Sequence, residues 1–278
     1  MAVEPLKLDG KVAWVTGSSR GIGRVIATFL AGQGAEVAVH GTTPYSTQAF
    51  GEGPSLDAVA KEIAKNTNKS VFPTCGDLTD EATVSRIYTQ VEDEFGSLDI
   101  LVNCAGGDIG TAGTSGPMAG KPANNDPINI DISDIRTVMD RNLMTCILCS
   151  RVVSPSMMER KSGRIVSIGS VAGLQGGSNS AIYATAKAAV HEYTRCLADM
   201  LRPYNVTANV IAPGDIETPR FLASRIVDES MRQSDHTLLR YGQSIEVARA
   251  VGFLVSDENT YITGQILRVD GGKQIWAG

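Results

Sequence analysis

The chain has 278 residues, of which 42% are hydrophobic and 20% are charged, and its formal net charge at pH 7 is −5. This composition is typical of a globular protein with an ample apolar core. The negative charge argues against non-specific binding to nucleic acid or to an anionic membrane. Residues 1–11 lack the apolar segment of a signal peptide, and no apolar run approaches the ~18 residues of a membrane span. We therefore expect a cytoplasmic protein with neither nucleic acid nor membrane as its partner.

Cysteine and histidine are too scattered to predict a metal site. The five cysteines are irregularly spaced, which is typical of reduced thiols in the cytoplasm. Cys146 and Cys149 lie in a helical run without a second pair, so two thiols on a helix are favoured over zinc. His40, His191 and His236 are isolated from one another. We expect no metal site.

The first predicted strand and helix flank a glycine-rich turn. Lys11 to Thr16 is a short apolar run typical of a buried strand, and the helix that follows ends at Gly34. Between them Gly17, Gly21 and Gly23 have the spacing G-x-x-x-G-x-G. Glycines here let the backbone approach a pyrophosphate, whose charge is met by the helix N-terminus. A structural turn would explain the glycines alone, but their place between strand and helix favours a phosphate-binding loop.

The end of the second predicted strand, Glu36 to Val39, indicates which cofactor would bind. In a dinucleotide-binding fold this strand end meets the adenosine ribose, where an acidic residue would bind the 2′-hydroxyl and repel a 2′-phosphate. Residues 40–43 include no acid, and Arg20 in the glycine-rich turn supplies a cation. This combination favours NADP over NAD; the alternative is that Arg20 is a solvated surface charge. Thr47 to Pro54 is a polar connector.

Asp77 follows the third predicted strand, Ser70 to Thr74. It is either a contact to the adenine amine or the N-cap of a helix predicted from Glu81 to Phe95. Thr79 and Asp80 are also available for capping. Their presence leaves Asp77 freer to contact a ligand.

The fourth predicted strand, Asp99 to Asn103, ends in small residues that suit close packing against a cofactor, because ligands of open α/β sheets bind at the carboxyl ends of strands. The segment Gly107 to Asp131 is then long and rich in Gly, Pro, Thr and Asn, and such loops are functional or poorly ordered. A helix is predicted from Ser133, as its N-cap, to Lys161. Asn142 in mid-helix is mildly unfavourable, which hints at a polar role.

The next strand and helix bring a hydroxyl, a phenol and an ammonium together. Arg164 to Ile168 is an apolar strand that ends just before Ser170, and a helix begins near Asn179. Tyr183 and Lys187 are four residues apart and share one face of that helix. A nearby ammonium favours the phenolate form of a phenol, so the pair could act as a proton donor while the serine holds a carbonyl oxygen. Taken alone, such a pair is more often a solvated surface contact.

The remaining chain continues the alternation. A strand is predicted at Val206 to Ile211, before Pro213 and Gly214, and a helical flap at Asp215 to Arg240. A helix at Ser244 to Ser256 and a strand at Gln265 to Val269 complete the pattern. Such alternation predicts an α/β fold: one doubly wound Rossmann-type domain spanning residues 1–278, with helices on both faces of a parallel seven-stranded sheet.

Together these motifs resemble those of the short-chain dehydrogenase/reductase family over nearly the whole chain. They occur in the family's order and spacing: Thr16-Gly17-x-x-x-Gly21-x-Gly23, Asn103-x-Ala105-Gly106, Asn142, Ser170, Tyr183-x-x-x-Lys187 and Pro213-Gly214-x-Ile216-x-Thr218. The loop TGSSRGIG and the C-terminal segment that begins at Arg240 are most similar to the 3-oxoacyl-carrier-protein reductase branch.

The resemblance implies a role for each matching residue. Tyr183 would be the acid/base, Lys187 would favour its phenolate and bind the nicotinamide ribose, and Ser170 would hold the substrate oxygen. Asn142 would carry a water that links Lys187 to solvent. The substrate would contact Ser170, Gln175 and Tyr183. The predicted cofactor contacts are Gly17, Ser19, Arg20, Gly21, Ile22, Gly23, Thr42, Asp77, Leu78, Asn103, Ala105, Gly106, Tyr183, Lys187, Pro213, Gly214, Ile216 and Thr218.

The implied activity is an NADP(H)-dependent interconversion of a ketone and a secondary alcohol, with a 3-oxoacyl compound as one candidate substrate. An NAD(H)-linked dehydrogenase of a sugar, polyol or other small alcohol is the first alternative, and a non-catalytic dinucleotide-binding protein is the second.

The chain departs from the family pattern at two places: Cys104 replaces the usual second asparagine, and the segment Gly107 to Asp131 is longer than is usual in the reductase branch. Family members are commonly homotetramers, so we expect a homotetramer or a homodimer.

Overall fold

Seven parallel strands form the central sheet of the computed structural model, which describes residues 8–232 and 237–276. Their spatial order is β3-β2-β1-β4-β5-β6-β9. The strands of this sheet are β1 Val12–Val15, β2 Glu36–Gly41, β3 Val71–Cys75, β4 Ile100–Asn103, β5 Gly163–Ile168, β6 Val206–Pro213 and β9 Ile266–Val269. Two further short strands, β7 Ile216–Glu217 and β8 Gly242–Gln243, pair with each other in parallel.

Helices connect the strands. They are α1 Gly21–Gly32, α2 Leu56–Thr67, α3 Glu81–Phe95, α5 Ile132–Met139, α6 Thr145–Arg160, α7 Ala181–Leu201, α8 Pro219–Ala223 and α9 Ser244–Val255. A single short turn, α4 Pro117–Gly120, lies in the long segment after β4 and holds Met118 and Ala119 in left-handed conformations. The predicted α/β fold with a parallel seven-stranded sheet is confirmed.

The sheet is apolar on both faces because helices cover both. Along β1, Ala13 and Val15 belong to the core on the side of α1 and α9, whereas Val12 and Trp14 belong to the core on the side of α3, α6 and α7. Trp14 is completely buried. A strand with two buried faces has a continuous apolar sequence, which is why β1 was predictable from its composition.

The order of the strands reverses at β1, whose neighbours are β2 on one side and β4 on the other. Thr16 joins the two carboxyl ends, because its Oγ1 accepts hydrogen bonds from the Cys104 and Ala105 amides at 2.9 and 3.0 Å. Its hydroxyl also donates to the Val102 carbonyl at 3.3 Å. The crevice at such a reversal is where ligands bind in open α/β sheets.

The helix predicted from Ser133 to Lys161 is interrupted. It consists of α5 and α6 joined by a π-helical turn at Asp140–Met144 that contains Asn142. The prediction of Ser133 as N-cap is wrong, because Asp131 occupies the N-cap position, without a side-chain cap. A π turn inserts one extra residue into the helical ladder, a local feature that hydrophobic periodicity does not detect.

The connector and the flap also contain local structure. A 3₁₀ helix spans Ser46–Phe50 in the connector after β2. The predicted flap, Asp215 to Arg240, contains β7, α8 and a 3₁₀ turn at Glu229–Arg232. Residues 233–236 of that flap, including His236, lie outside the described residues, as do both ends of the predicted 1–278 domain.

Within the described residues, no helix is both long and apolar enough to cross a membrane.

His40 is a buried link between the glycine-rich loop and β3. Its Nδ1 accepts from the Gly17 amide at 3.1 Å, and its Nε2 lies 3.0 Å from the Gly76 carbonyl oxygen. This pair of contacts requires a neutral ring with its proton on Nε2. Burial lowers the pKa of His40 from the usual 6.5 to about 4, and the Gly76 carbonyl opposes that shift.

The free energy of unfolding should therefore fall as pH falls from 6.5 to 4. In this window the unfolded chain carries the proton and the folded ring does not, so protons favour unfolding. The contribution of His40 is at most about 3 kcal/mol, fully present above pH 6.5. Urea denaturation at several pH values should show a shallower pH dependence for His40→Gln than for the wild type. Equal slopes would show that His40 is not the group that titrates.

Candidate functional site

One large cavity of about 690 Å³ lies at the carboxyl ends of the central strands. It extends from the glycine-rich loop, past the ends of β2, β4 and β5, to the segment after β6. The predicted residues that line it are Gly17, Ser19, Arg20, Gly21, Ile22, Gly23, Thr42, Asp77, Leu78, Ala105, Gly106, Ser170, Gln175, Tyr183, Lys187, Pro213, Gly214, Ile216 and Thr218. Asn103 and Asn142 are both buried and do not line it.

The glycine-rich loop is shaped by close backbone approaches. A Cβ on Gly17 would lie 2.8 Å from the Ala105 Cα, and one on Gly23 would lie 2.5 Å from the Gly17 carbonyl oxygen. Gly17 and Gly21 also have positive φ angles of 63° and 55°, which favour glycine. The loop leads directly into the N-terminus of α1, where backbone amides and the helix dipole favour an anion.

Glu52 is an acid of this site that the sequence analysis did not identify. Its Oε2 accepts a hydrogen bond from the Gly21 amide at 2.7 Å, and its Oε1 is buried without a hydrogen-bond partner in the described structure. The 3₁₀ helix Ser46–Phe50 folds the connector back over the loop and brings this carboxylate to the start of α1. The only sequence signal was an acid in a polar connector, 31 residues after Gly21.

Arg20 is held by the same connector. Its guanidinium donates to the Ser46 carbonyl and lies 5.4 Å from the centroid of the Phe50 ring. Burial lowers the pKa of Arg20, and the Glu52 carboxylate opposes that shift. Arg20 is therefore a partly buried cation with a nearby counter-charge, and not a solvated surface residue.

Tyr183 and Lys187 lie side by side on α7, as their spacing predicts. The Lys187 ammonium is 5.8 Å from the centroid of the Tyr183 ring. It donates to the Ile168 carbonyl at 2.8 Å, and the lysine is only 5% exposed. An ammonium has three N–H donors, so two remain for other partners in the cavity.

Ser170 lies at the end of β5 and begins the 3₁₀ turn Val171–Leu174. Its Oγ accepts from the Ala172 amide at 3.1 Å, so the hydroxyl proton is left to donate elsewhere. Its amide donates to His191 Nε2 at 3.3 Å. His191 is thus a buried support of Ser170, eight residues after Tyr183 on the same helix, and the sequence analysis described it only as isolated.

Asn142 lies behind the cavity wall. Its Oδ1 accepts from the Gly107 amide at 2.9 Å, and its Nδ2 donates to the carbonyls of Gly107 and Val138 at 2.9 and 2.8 Å. Both amide protons are therefore used. A Cβ on Gly106 would lie 2.5 Å from Asn142 Oδ1. The side chain holds the chain in place where it leaves β4.

Two other predicted cofactor contacts, Asp77 and Asn103, form hydrogen bonds within the protein. Asp80 caps α3 by accepting from the Thr83 amide at 2.8 Å, while Asp77 accepts from the Thr79 amide and hydroxyl. Asp77 is therefore not the N-cap. The Asn103 side chain donates to Ser150 Oγ at 3.0 Å, away from the cavity lining, and its Oδ1 is buried without a partner in the described structure.

The two closely spaced cysteines are free thiols. Cys146 and Cys149 are free and buried in α6, and burial raises the pKa of both thiols. In residues 8–232 and 237–276, no three His, Cys, Asp or Glu side chains are grouped so that they could hold a metal ion.

Comparison with known proteins places this geometry in a family. A family model described as Enoyl-(Acyl carrier protein) reductase matches residues 17–274. The 3-oxoacyl-[acyl-carrier-protein] reductase of Escherichia coli (strain K12) is 34% identical over 270 residues, which are 96% of this chain and 98% of that protein. The chain belongs to the short-chain dehydrogenase/reductase family. It is an oxidoreductase, and its similarity to the 3-oxoacyl-carrier-protein reductases confirms the predicted resemblance.

Other relatives in the short-chain dehydrogenase/reductase family have different names. Cyclohexanol dehydrogenase of Rhodococcus sp. (strain TK6) is 38% identical over 274 residues, or 96% of this chain and 97% of that protein. Among solved structures, 7 alpha-hydroxysteroid dehydrogenase complexed with NADH and 7-oxo glycochenodeoxycholic acid has a TM-score of 0.81 and 31% identity, and the match covers 96% of each chain.

The cavity of this short-chain dehydrogenase/reductase fits an NAD(P)(H) cofactor. The cradle at Gly17 and Gly23 has no room for a Cβ, and α1 presents its N-terminus there. Anions and dinucleotide pyrophosphates bind at such positions. Lys187 has two N–H donors left at the other end of the same cavity.

Replacing Gly23 by Ala should destabilise the protein by about 1–3 kcal/mol, because its Cβ would be 2.5 Å from a backbone oxygen. The matched control is Gly32→Ala in the same helix, where a Cβ meets nothing within 4 Å. That change should be neutral or stabilising by about 0.5–1 kcal/mol. Urea denaturation measures both. Equal effects of the two substitutions would contradict the close approach at Gly23.

Proposed function

We propose that the protein is an NADP(H)-dependent oxidoreductase that interconverts a ketone and a secondary alcohol, with Tyr183 as the acid/base. The observation that carries the proposal is the convergence of Tyr183, Lys187 and Ser170 in the same cavity as the glycine-rich loop. The bound nicotinamide would supply or accept the hydride. The relatives named as 3-oxoacyl reductase, cyclohexanol dehydrogenase and hydroxysteroid dehydrogenase support a carbonyl or secondary alcohol as the reacting group.

The protein's own groups account for proton transfer and substrate orientation. In the direction of reduction, the Tyr183 hydroxyl gives its proton to the carbonyl oxygen as negative charge develops there. The Ser170 hydroxyl donates to the same oxygen, since its Oγ accepts from the Ala172 amide and its proton remains available. Lys187 stabilises the resulting phenolate and is held in place by the Ile168 carbonyl. Oxidation of the alcohol reverses these transfers.

We assign Asn142 a positioning role. Its side-chain donors and acceptor are engaged by Gly107 and Val138. Both Nδ2 protons are used, so a water that links Lys187 to solvent could contact the Asn142 side chain only by donating to Oδ1. The same contacts hold Gly107 at the start of the segment 107–131, which we propose covers the substrate together with residues 215–232.

Tyr183→Phe should lower kcat by two or more orders of magnitude, because the variant cannot protonate the carbonyl oxygen. Affinity for the cofactor should change little, since the ring and Lys187 remain. A panel of ketones assayed by oxidation of NADPH, with fluorescence titration of the cofactor, measures both quantities. Tyr204→Phe, in the turn after α7, is the control. Near-normal turnover by Tyr183→Phe would refute the proposed mechanism.

The proposed preference for NADP(H) rests on Arg20 and on the hydroxyl groups of Thr42, Thr43 and Ser46 near the end of β2; of these residues, Arg20, Thr42 and Ser46 line the cavity. One observation favours the NAD(H)-linked alternative. The Glu52 carboxylate lies in the same region and would repel a 2′-phosphate. We propose that Arg20 dominates, because a guanidinium binds phosphate oxygens through several charge-assisted hydrogen bonds.

Substitutions at these two residues should change cofactor selectivity in opposite directions. Arg20→Ala should reduce the ratio of kcat/KM for NADPH to that for NADH by about tenfold to 100-fold, the value of a lost charge-assisted hydrogen bond. Glu52→Gln should raise the same ratio by removing a negative charge. Steady-state kinetics with both cofactors provide the test. A wild-type enzyme that uses NADH at least as well as NADPH would favour the alternative.

A further inference from the structure

The part of the cavity beyond the reacting residues is lined by several charged side chains. It is lined by the segment 107–131 and by the residues that follow β6. Its cations are Lys121, Arg220, Arg225 and Lys273, and its carboxylates are Asp108 and Asp215. Four cations therefore face two carboxylates. An excess of positive charge in a partly buried cleft attracts an anion unless the cations are neutralised within the protein.

Two of these cations are neutralised by one carboxylate. Asp215 Oδ1 accepts from Arg225 at 2.8 Å, and its Oδ2 accepts from Lys273 at 2.6 Å. The Arg225 guanidinium also lies 3.7 Å from the centroid of the Phe221 ring. This packing fixes Arg225 as part of the wall. Both Asp215 oxygens are thus bound by these two cations, and Asp215 makes no direct ion pair with Lys121 or Arg220.

The second carboxylate is held by neutral donors through one oxygen, and its other oxygen is buried without a hydrogen-bond partner in the described structure. Asp108 Oδ2 accepts from Asn125 Nδ2 at 2.9 Å and from the Ser180 hydroxyl at 2.7 Å. Arg220 donates to the backbone carbonyl of Asp108 at 2.6 Å, not to its carboxylate. Among the described residues, no carboxylate lies within ion-pair distance of the Arg220 guanidinium, and its Nε is buried without a hydrogen-bond partner. Arg220 is therefore an anchored cation with donor capacity left over.

Arg220 lies close to the reacting groups. Its Cζ would be 3.6 Å from a Cβ on Gly107, the glycine that Asn142 holds at the end of β4. Burial lowers the pKa of Arg220. Among the neighbouring groups that oppose this shift, Tyr183 has the largest effect. A guanidinium so placed can bind a group of the same substrate molecule whose carbonyl meets Tyr183.

Lys121 is presented to the cavity by a folded part of the long segment. The Gly110 amide donates to the Gly120 carbonyl at 2.9 Å, and Thr111 is tied to the Asp134 carboxylate through its amide and hydroxyl at 2.7 and 2.8 Å. In the described part of the chain, Lys121 has no carboxylate within ion-pair distance. Burial lowers its pKa, and the nearby Arg225 lowers it further, while the more distant carboxylates of Asp108 and Asp215 oppose the shift.

We propose that the substrate carries an oxyanion, either a carboxylate or a phosphate, in addition to its ketone or secondary alcohol, and that Arg220 and Lys121 bind this oxyanion. Arginine supplies a planar set of donors that matches an oxyanion, and lysine adds a mobile point charge. The inference rests on the proposed carbonyl chemistry at Tyr183, and it makes the enzyme selective for keto acids or keto phosphates over neutral ketones.

The test compares ligands that differ only in charge. Three pairs each consist of a keto acid and its methyl ester: 3-oxobutanoate, 4-oxopentanoate and 5-oxohexanoate. The fourth pair is dihydroxyacetone phosphate and dihydroxyacetone. Affinities are measured by calorimetry on the cofactor-loaded Tyr183→Phe chain, so that binding is read without turnover, and kcat/KM is measured on the wild type. At least one anion should bind about tenfold to 100-fold more tightly than its neutral partner. Equal or weaker binding by every anion would overturn the inference.

Substitutions test which residues produce the preference for the anionic ligand. Arg220→Met should abolish most of the preference for the anion, and Arg220→Lys should restore part of it, while binding of the neutral ligand and of the cofactor stays unchanged. Lys121→Met provides the same test at an intermediately exposed position, should Arg220→Met fail to fold. The control is Lys61→Met, an exposed cation paired with Asp57 on α2. It should leave the preference intact.

The remaining outcomes separate this inference from the proposed function. Loss of cofactor affinity in Arg220→Met, with the preference for the anion retained, would assign Arg220 to the dinucleotide phosphates and overturn the inference. Tight binding of an anion that depends on Arg220 and Lys121, without turnover of any ketone by the wild type, would support the oxyanion site and refute the ketone chemistry. Turnover of neutral ketones as efficient as that of their anionic partners would support the chemistry and overturn the oxyanion site.

Discussion

The site depends on how closely the ends of β1 and β4 approach each other. Thr16 Oγ1 accepts the amides of Cys104 and Ala105, and Gly17 packs against Ala105 with no space for a Cβ. These contacts place the glycine-rich loop beside the small residues after β4 and open a cavity where the strand order reverses. Backbone packed this tightly moves little, so the groups around the cavity keep their relative positions.

Supports at the other end of the cavity are buried and specific. Asn142, in a π turn between α5 and α6, secures Gly107, while His191 accepts from the backbone of Ser170. Lys187 is anchored by the Ile168 carbonyl at the end of β5. Groups that must meet a reacting atom within a fraction of an ångström need such support, because loosely held side chains lose the effect of proximity.

The two ends of the cavity use charge differently. Near the loop, the connector after β2 holds both Arg20 and Glu52, so a cation and an anion line the same part of the cavity. Beyond Tyr183, Asp215 is paired with Arg225 and Lys273, whereas Arg220 and Lys121 have no carboxylate within ion-pair distance among the described residues. The proposed selectivity for the cofactor and for the substrate thus depends on local charge balance, not on the net charge of −5.

The sequence by itself determined the α/β fold, the glycine-rich loop and the Tyr183–Lys187 pair, because apolar runs, glycine spacing and helical periodicity are local properties of the chain. Only the tertiary structure decided that Glu52 reaches the start of α1 and that Asn142 lies in a π turn. It also decided that Arg220 lacks a carboxylate partner among the described residues. Pairing between charges depends on which loops fold against each other, and segments that are rich in glycine, proline and polar residues have no periodicity from which that folding could be predicted.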